Sequence, residues 1–165
     1  MKTLVFMRHA RAVLQQPGQT DRERSLTPRG RLEAPMMAHV LARRELRPEL
    51  IISSPAERAL ATARLVAEEL TLADHAISLE PVLYKASTDD YFEVIRRLPD
   101  GVHSILVVGH NPGITEFVNA LEPGAVGEMP PSGLVGIGMD SARWSEEKGN
   151  CGKLLFVEHP KNLQV

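Results

Sequence analysis

Four side chains able to bind an oxyanion or move a proton stand where apolar runs stop. Arg8 and His9 follow Leu4-Val5-Phe6-Met7, Arg58 comes soon after Leu50-Ile51-Ile52-Ser53, and His110 directly follows Ser104-Ile105-Leu106-Val107-Val108-Gly109. A guanidinium is a planar fork of donors that stays charged and meets two oxygens at once. An imidazole can transfer a proton or attack an electrophile, and nearby cations favour its neutral, nucleophilic form. Two of each around one point would form an oxyanion pocket. That suits phosphoryl transfer, where the protein's part is mostly positioning and stabilisation of charge on the equatorial oxygens. On its own, Arg8-His9 reads as a charged loop capping a first strand, so the chemistry depends on distant segments converging.

The elements that must converge follow from patterning. Leu4 to Met7 is apolar without alternation, as in a strand of a parallel sheet with helices on both faces. Ligands of such sheets sit at the carboxyl ends of strands. Arg11 to Arg24 reads as a polar loop broken by Pro17 and Gly18, with mixed charge in Asp21-Arg22-Glu23-Arg24. Thr27-Pro28 opens a helix to about Leu46 with Leu32, Met36, Met37, Val40 and Leu41 as its apolar face, and Pro35 predicts a kink or loosened turn near Arg31. After the strand Leu50 to Ser53, Ser54-Pro55 opens a helix carrying Ala59, Ala63, Val66, Ala67 and Leu70 inward. Arg58 in its first turn opposes the dipole preference for anions at helix N-termini, which makes sense if an anion is held beside it.

Ile77-Ser78-Leu79 and Val82-Leu83 mark a third strand, Thr88 to Leu98 a helix with Tyr91, Val94, Ile95 and Leu98 on one face, and Ser104 to Gly109 the clearest buried strand. A short helix from Ile114 to Leu121 and a Pro- and Gly-rich loop from Glu122 to Pro131 follow. Leu134 to Met139 and Lys153 to Glu158 read as strands that could pair as an antiparallel hairpin. The expected fold class is α/β, a three-layer α/β/α sandwich with a mainly parallel sheet, in a single domain over residues 1–165.

Composition bounds the rest. A chain of 165 residues is long enough for a continuous core without staples. Its net charge of -2 gives no basic field for nucleic acid, and no apolar run reaches membrane-spanning length, so neither partner is expected and the expected location is cytoplasmic. The single cysteine, Cys151, cannot form an internal disulfide and reads as incidental. His39, His75, His103 and His159 lack metal-ligand spacing and read as surface or capping residues. Arg43-Arg44 and Arg96-Arg97 lie late in helices, where cations complement the dipole. Trp144 reads as hairpin packing.

Three motifs then carry a family resemblance in order over most of the chain. Met7-Arg8-His9-Ala10, Ser53-Ser54-Pro55-Ala56-Glu57-Arg58-Ala59 with Thr62-Ala63, and Val108-Gly109-His110-Asn111-Pro112 resemble the signatures of the histidine phosphatase superfamily (phosphoglycerate mutase-like), in particular its short SixA-type phosphohistidine phosphatases. Arg24-Ser25-Leu26-Thr27 before Gly30 is similar to a segment of those short members. The resemblance implies that His9 becomes phosphorylated, that Arg8 and Arg58 hold the phosphoryl oxygens, and that His110 stabilises the transferring group. It adds Arg24 as a further phosphate ligand, while Asn111 either contacts phosphate through its amide or orients the loop. No metal or other cofactor is implied, since the arginines supply the charge.

Two positions depart from the pattern. Ala10 stands where the family has glycine, and Leu79-Glu80-Pro81-Val82-Leu83-Tyr84-Lys85 offers no clear match to the acid of many members; Asp89 and Asp90 read as helix caps. The proton donor is therefore unassigned. An alkoxide leaving group requires protonation, whereas the nitrogen of phosphohistidine demands less, so the expected activity is a metal-independent phosphatase acting on protein phosphohistidine through phospho-His9. The expected partner is accordingly a phosphorylated protein or a small phosphorylated substrate. A small-molecule phosphomonoesterase or mutase of the same superfamily is the alternative, and a non-catalytic phosphate- or phosphoprotein-binding module the second. Little chain is left over for a substrate-covering insertion, which favours a site open to a protein surface.

Overall fold

A computed structural model describes residues 1–163. Its strands are β1 (Lys2–Arg8), β2 (Leu50–Ser53), β3 (Ile77–Leu79), β4 (Ser104–Gly109), β5 (Leu134–Met139) and β6 (Gly152–Glu158), and its helices α1 (Pro28–Arg43), α2 (Glu57–Glu69), α3 (Thr88–Arg96) and α4 (Gly113–Leu121). The strands form one sheet in the order β3-β2-β4-β1-β5-β6. β1, β2, β3 and β4 pair in parallel, while β5 runs antiparallel between β1 and β6. The expected α/β/α sandwich and the β5–β6 hairpin are both present.

Alternation along the central strands explains why both faces need helices. On β1, Leu4 and Phe6 enter a core shared with α3 and α4, and Val5 and Met7 enter the opposite core shared with α1 and α2. On β4, Ile105 and Val107 divide from Leu106 and Val108 in the same way. An unbroken apolar run is the signature of a strand buried on both sides. Phe6 meets Phe117 of α4 edge to face at 5.5 Å, and Tyr91 of α3 stacks on Phe117 at 5.0 Å, which fastens one helical layer to the sheet.

Several boundaries differ from expectation. Thr27 caps α1 by accepting from the Gly30 amide at 3.0 Å, and the helix runs unbroken through Pro35. Leu32 is 71% exposed; the buried face of α1 is carried by Ala34, Met37, Ala38, Val40 and Leu41 instead. Gly30 is required by a close approach, since a Cβ there would lie 2.4 Å from the Arg11 carbonyl oxygen. Helix α2 begins at Glu57, after the expected Ser54-Pro55 start, with Ser54 accepting from the Ala56 amide in the turn that leads into it. Val82-Leu83 is not strand: Pro81 fixes its own backbone angle and opens a 3-10 turn over Pro81–Lys85. Asp90 does cap α3, its carboxylate accepting from the Ser87 amide at 2.9 Å. Trp144 is fully buried under Lys2, whose ammonium lies 4.9 Å from the ring centroid. Among the described residues, no helix is long and apolar enough to cross a membrane.

Candidate active site

Three neighbouring strands end together because they run in parallel. β1 places Arg8 opposite Gly109 of β4, and β2 places Ser53 opposite Val108, so the residues beyond each strand emerge side by side. The His9 amide donates to the Gly109 carbonyl at 3.1 Å, and the Ser54 amide to the Val108 carbonyl at 3.1 Å, which extends the ladder past the last paired residues. The His9 and His110 rings consequently lie 5.1 Å apart between centroids, tilted by 56°.

Hydrogen bonds between the strand exits and their neighbours brace this arrangement. The Ala10 amide donates to Thr62 Oγ1 at 2.9 Å, and the same hydroxyl donates to the Arg58 carbonyl at 2.7 Å, tying the β1 exit to the first turn of α2. His110 Nε2 pairs with Ser54 Oγ at 2.7 Å, and that oxygen also accepts from the Ala56 amide. The Met129 carbonyl accepts from Arg8 Nη1 at 3.0 Å and from Asn111 Nδ2 at 2.8 Å, so the loop before β5 joins the exits of β1 and β4. Ala10 is fully buried against these contacts without a left-handed backbone, so the methyl group in place of glycine fits.

The tautomer of His9 follows from its partner. Nδ1 lies 2.8 Å from the Ala10 carbonyl oxygen, which can only accept, so Nδ1 carries the proton and Nε2 the lone pair. Burial lowers the His9 pKa from 6.5 to about 3, helped by the charges of His110, Arg58 and Arg8 and opposed by the Ala10 hydrogen bond. Burial likewise lowers His110 to about 4, with Arg58 the largest neighbouring charge and Asp21 opposing. Both imidazoles are neutral at pH 7, so His9 is poised as a nucleophile. Arg8 Nε, Arg58 Nε and His110 Nδ1 are buried and have no hydrogen-bond partner among the described residues. The two guanidinium donors left over in this way suit an oxyanion.

The same burial fixes the acid sensitivity of the fold. Between about pH 6.5 and 4 the unfolded chain takes up protons on these two imidazoles that the folded chain cannot, so stability falls as pH falls. The slope is up to about 1.4 kcal/mol per pH unit for each imidazole. Urea unfolding from pH 7 to 5 is expected to show the decline, and His110→Gln to flatten it; an unchanged slope in the variant would exclude His110 as a source.

Arg8, His9, Arg58 and His110 thus come together from three strand ends. Arg24 reaches the same region, its Nε donating to the Val13 carbonyl at 2.8 Å and its Nη1 to Asp21 Oδ1 at 3.0 Å. Asn111 differs: its amide nitrogen serves Met129, and its oxygen accepts from Thr115 Oγ1 at 2.6 Å, so its hydrogen bonds hold the loop. Glu80 pairs with Arg97 at 3.4 Å, which turns it to the surface of α3.

Two further site residues escaped the sequence reading. Asp21 lies in a 3-10 turn over Asp21–Glu23 and accepts from Arg58 twice, at its carbonyl from Nη1 (2.7 Å) and at Oδ2 from Nη2 (3.0 Å). Tyr84 donates to the same Oδ2 at 2.5 Å and stands edge-on to His110 at 5.8 Å. The Tyr84 hydrogen bond, with Arg24 and Arg58, holds the Asp21 carboxyl well below the usual carboxylate range. Asp21 therefore carries no proton to donate at neutral pH. The charge against the dipole at Arg58 was the available signal that an anion lay nearby. The anion it meets here is supplied by the chain itself.

A sequence profile of the histidine phosphatase superfamily (branch 1) matches residues 4–83. The chain is similar to the protein histidine phosphatase SixA solved in complex with tungstate, with 27% identity, 98% of this chain and 99% of that one covered, and a TM-score of 0.83. It is similar as well to a protein of Agrobacterium tumefaciens assigned as the phosphohistidine phosphatase SixA, with 27% identity, coverage of 96% and 98%, and a TM-score of 0.82. An uncharacterised protein of Picosynechococcus sp. (strain ATCC 27264 / PCC 7002 / PR-6) is 27% identical over 97% of this chain and 98% of its own length.

Proposed function

We propose that this chain is a phosphatase of the histidine phosphatase superfamily, that its substrate is phosphohistidine on a protein and that His9 carries the phosphoryl group between two half-reactions, a reading supported by the profile match and the likeness to SixA. The observation that carries the proposal is the pairing of a neutral His9, whose Nδ1 faces the Ala10 carbonyl and leaves the Nε2 lone pair available, with the guanidinium groups of Arg8 and Arg58 and an ionised Asp21.

In the first half-reaction His9 Nε2 attacks phosphorus, and the bond from phosphorus to the substrate's imidazole nitrogen breaks as the new one forms, the protonated substrate ring leaving as neutral imidazole with its proton on the other nitrogen. Arg8 and Arg58 hold the phosphoryl oxygens, Arg24 adds charge at the mouth, and His110, fixed by Ser54, steadies the transferring group. The phosphorylated His9 ring is an imidazolium that keeps its proton on Nδ1 and donates it to the Ala10 carbonyl, which stabilises the cation. Water then attacks phosphorus, the bond to Nε2 breaks, and inorganic phosphate leaves with neutral His9 restored.

The leaving group selects the substrate. Glu80 is paired with Arg97, Asp90 caps α3 and Asp21 is ionised, so none of these carboxyls can protonate an alkoxide. The nitrogen of phosphohistidine departs with less help. An open mouth agrees with a protein substrate, since Arg22 and Lys85 at its edge are exposed. The likeness to SixA supports the same reading.

Turnover of a phosphohistidine peptide is to be compared with that of a sugar phosphate, each corrected for spontaneous hydrolysis. The expected kcat/KM ratio favours the peptide by about a hundredfold or more, in line with general-acid contributions. Faster hydrolysis of the sugar phosphate overturns the assignment and favours the small-molecule phosphomonoesterase.

A further inference from the structure

Asp21 is the one carboxylate in contact with the arginine groups at the mouth, among the described residues, and its two ends do different work. Its backbone carbonyl fixes Arg58 Nη1 without adding charge. Its side chain gathers Arg58 Nη2, Arg24 Nη1 and the Tyr84 hydroxyl on two oxygens and remains 39% exposed, whereas the Arg58 side chain is 8% exposed. The carboxylate is therefore the solvent-facing partner of a buried cation. Glu128, which also acts on Arg8, is exposed and makes no such contact.

We propose that Asp21 is a built-in counter-charge that competes with phosphate for Arg58 and Arg24, and so sets how readily the phosphate product leaves. This rests on the reading of the site as a phosphoryl pocket. The guanidinium groups of Arg8, Arg24 and Arg58 face the pocket, and the Asp21 carboxylate offsets part of the positive charge that a phosphoryl dianion meets there. Without that carboxylate, phosphate would be held more tightly in every state. Binding that strengthens substrate and product alike lowers KM and delays release without lowering the chemical barrier. When phosphate enters, its oxygens displace Oδ2 from Arg58 Nη2, and when it leaves, Oδ2 returns. Asp21 acts through the arginines, which makes it a positioning residue with a charge to offer.

The geometry gives a variant that removes the charge at small cost in hydrogen bonds. Asp21→Asn keeps one carbonyl oxygen to accept from Arg58 Nη2 and Tyr84 and keeps the backbone carbonyl for Nη1, so the charge and the Oδ1 hydrogen bond to Arg24 are what it loses. Asp21→Glu keeps the charge. Calorimetric titration with inorganic phosphate at fixed low salt is expected to show about tenfold tighter binding in Asp21→Asn, the scale of one partly exposed charge at contact distance. Asp21→Glu should stay within about threefold of the unaltered chain. Steady-state kinetics of Asp21→Asn should show kcat and KM falling together, with stronger inhibition by phosphate.

A purely structural role cannot tighten phosphate, so unchanged or weaker binding in Asp21→Asn overturns the inference, as does equal tightening in Asp21→Glu. Failure of the unaltered chain to bind phosphate at all would instead overturn the reading of the pocket, and the inference with it.

Discussion

His9→Ala is expected to lower turnover of a phosphohistidine peptide by at least about 10⁴-fold, because it removes the atom that divides one displacement into two. The variant should form no phosphoryl adduct. In the unaltered chain, a labelled phosphodonor should leave an acid-labile, alkali-stable label that is absent from His9→Ala. The rest of the pocket should survive the change. Arg8 is held by Met129, Arg58 by Asp21 and His110 by Ser54, none of which contacts the imidazole of His9 through a hydrogen bond. Phosphate affinity should accordingly shift only a few-fold. Loss of activity with phosphate binding intact separates a missing nucleophile from a collapsed site. Retention of a tenth of the activity would mean that phosphoryl transfer does not pass through His9.

Arg58→Ala is expected to cost about 10³-fold in kcat/KM and to raise KM as well. One oxyanion-binding donor removed typically costs about 10² to 10³. Here the loss grows because Asp21 is left without the cation it faces, and its carboxylate then repels the phosphoryl dianion. Arg58→Lys should recover little, since an ammonium cannot reproduce a fork that meets the Asp21 carbonyl and Oδ2 at 2.7 and 3.0 Å together. The two residues are in contact, so their effects should not add. Asp21→Asn placed on Arg58→Ala should restore part of the loss, about tenfold, by removing the stranded charge. Strict additivity in that double variant would show that the carboxylate has no bearing on phosphate.

Much of this arrangement could be read before any coordinates, and the reason is the parallel sheet. Continuous apolar runs such as Ile105 to Val108 announce strands buried on both faces, and ligand sites of such sheets collect at the strand ends. Arg8, His9 and His110 could be named from that rule. Arg58 was visible because a cation in the first turn of a helix is out of place without an anion. Asp21 was not visible: its neighbours Arg22, Glu23 and Arg24 make it look like one charge among several on a loop. Its partners Arg58 and Tyr84 are joined to it only by the fold. Tyr84 was hidden by the reading of Val82-Leu83 as strand, where the 3-10 turn sets the ring against His110. Leu32 misled for a simpler reason, as an apolar side chain at helical spacing can still face water while small alanines fill the interface.

The position of β1 in the sheet carries a consequence for how this molecule assembles and fails. The strand that leads to His9 is flanked by partners made much later in the chain, with Thr3 opposite Ser104 on one side and Leu4 opposite Ile137 on the other. Closing such long loops is what slows folding of chains rich in non-local contacts. Until both neighbours arrive, Leu-Val-Phe-Met is an unprotected edge open to pairing with another chain. A fragment ending at Leu121, before the loop that leads to β5, would leave that edge bare and lose the Met129 carbonyl that holds Arg8.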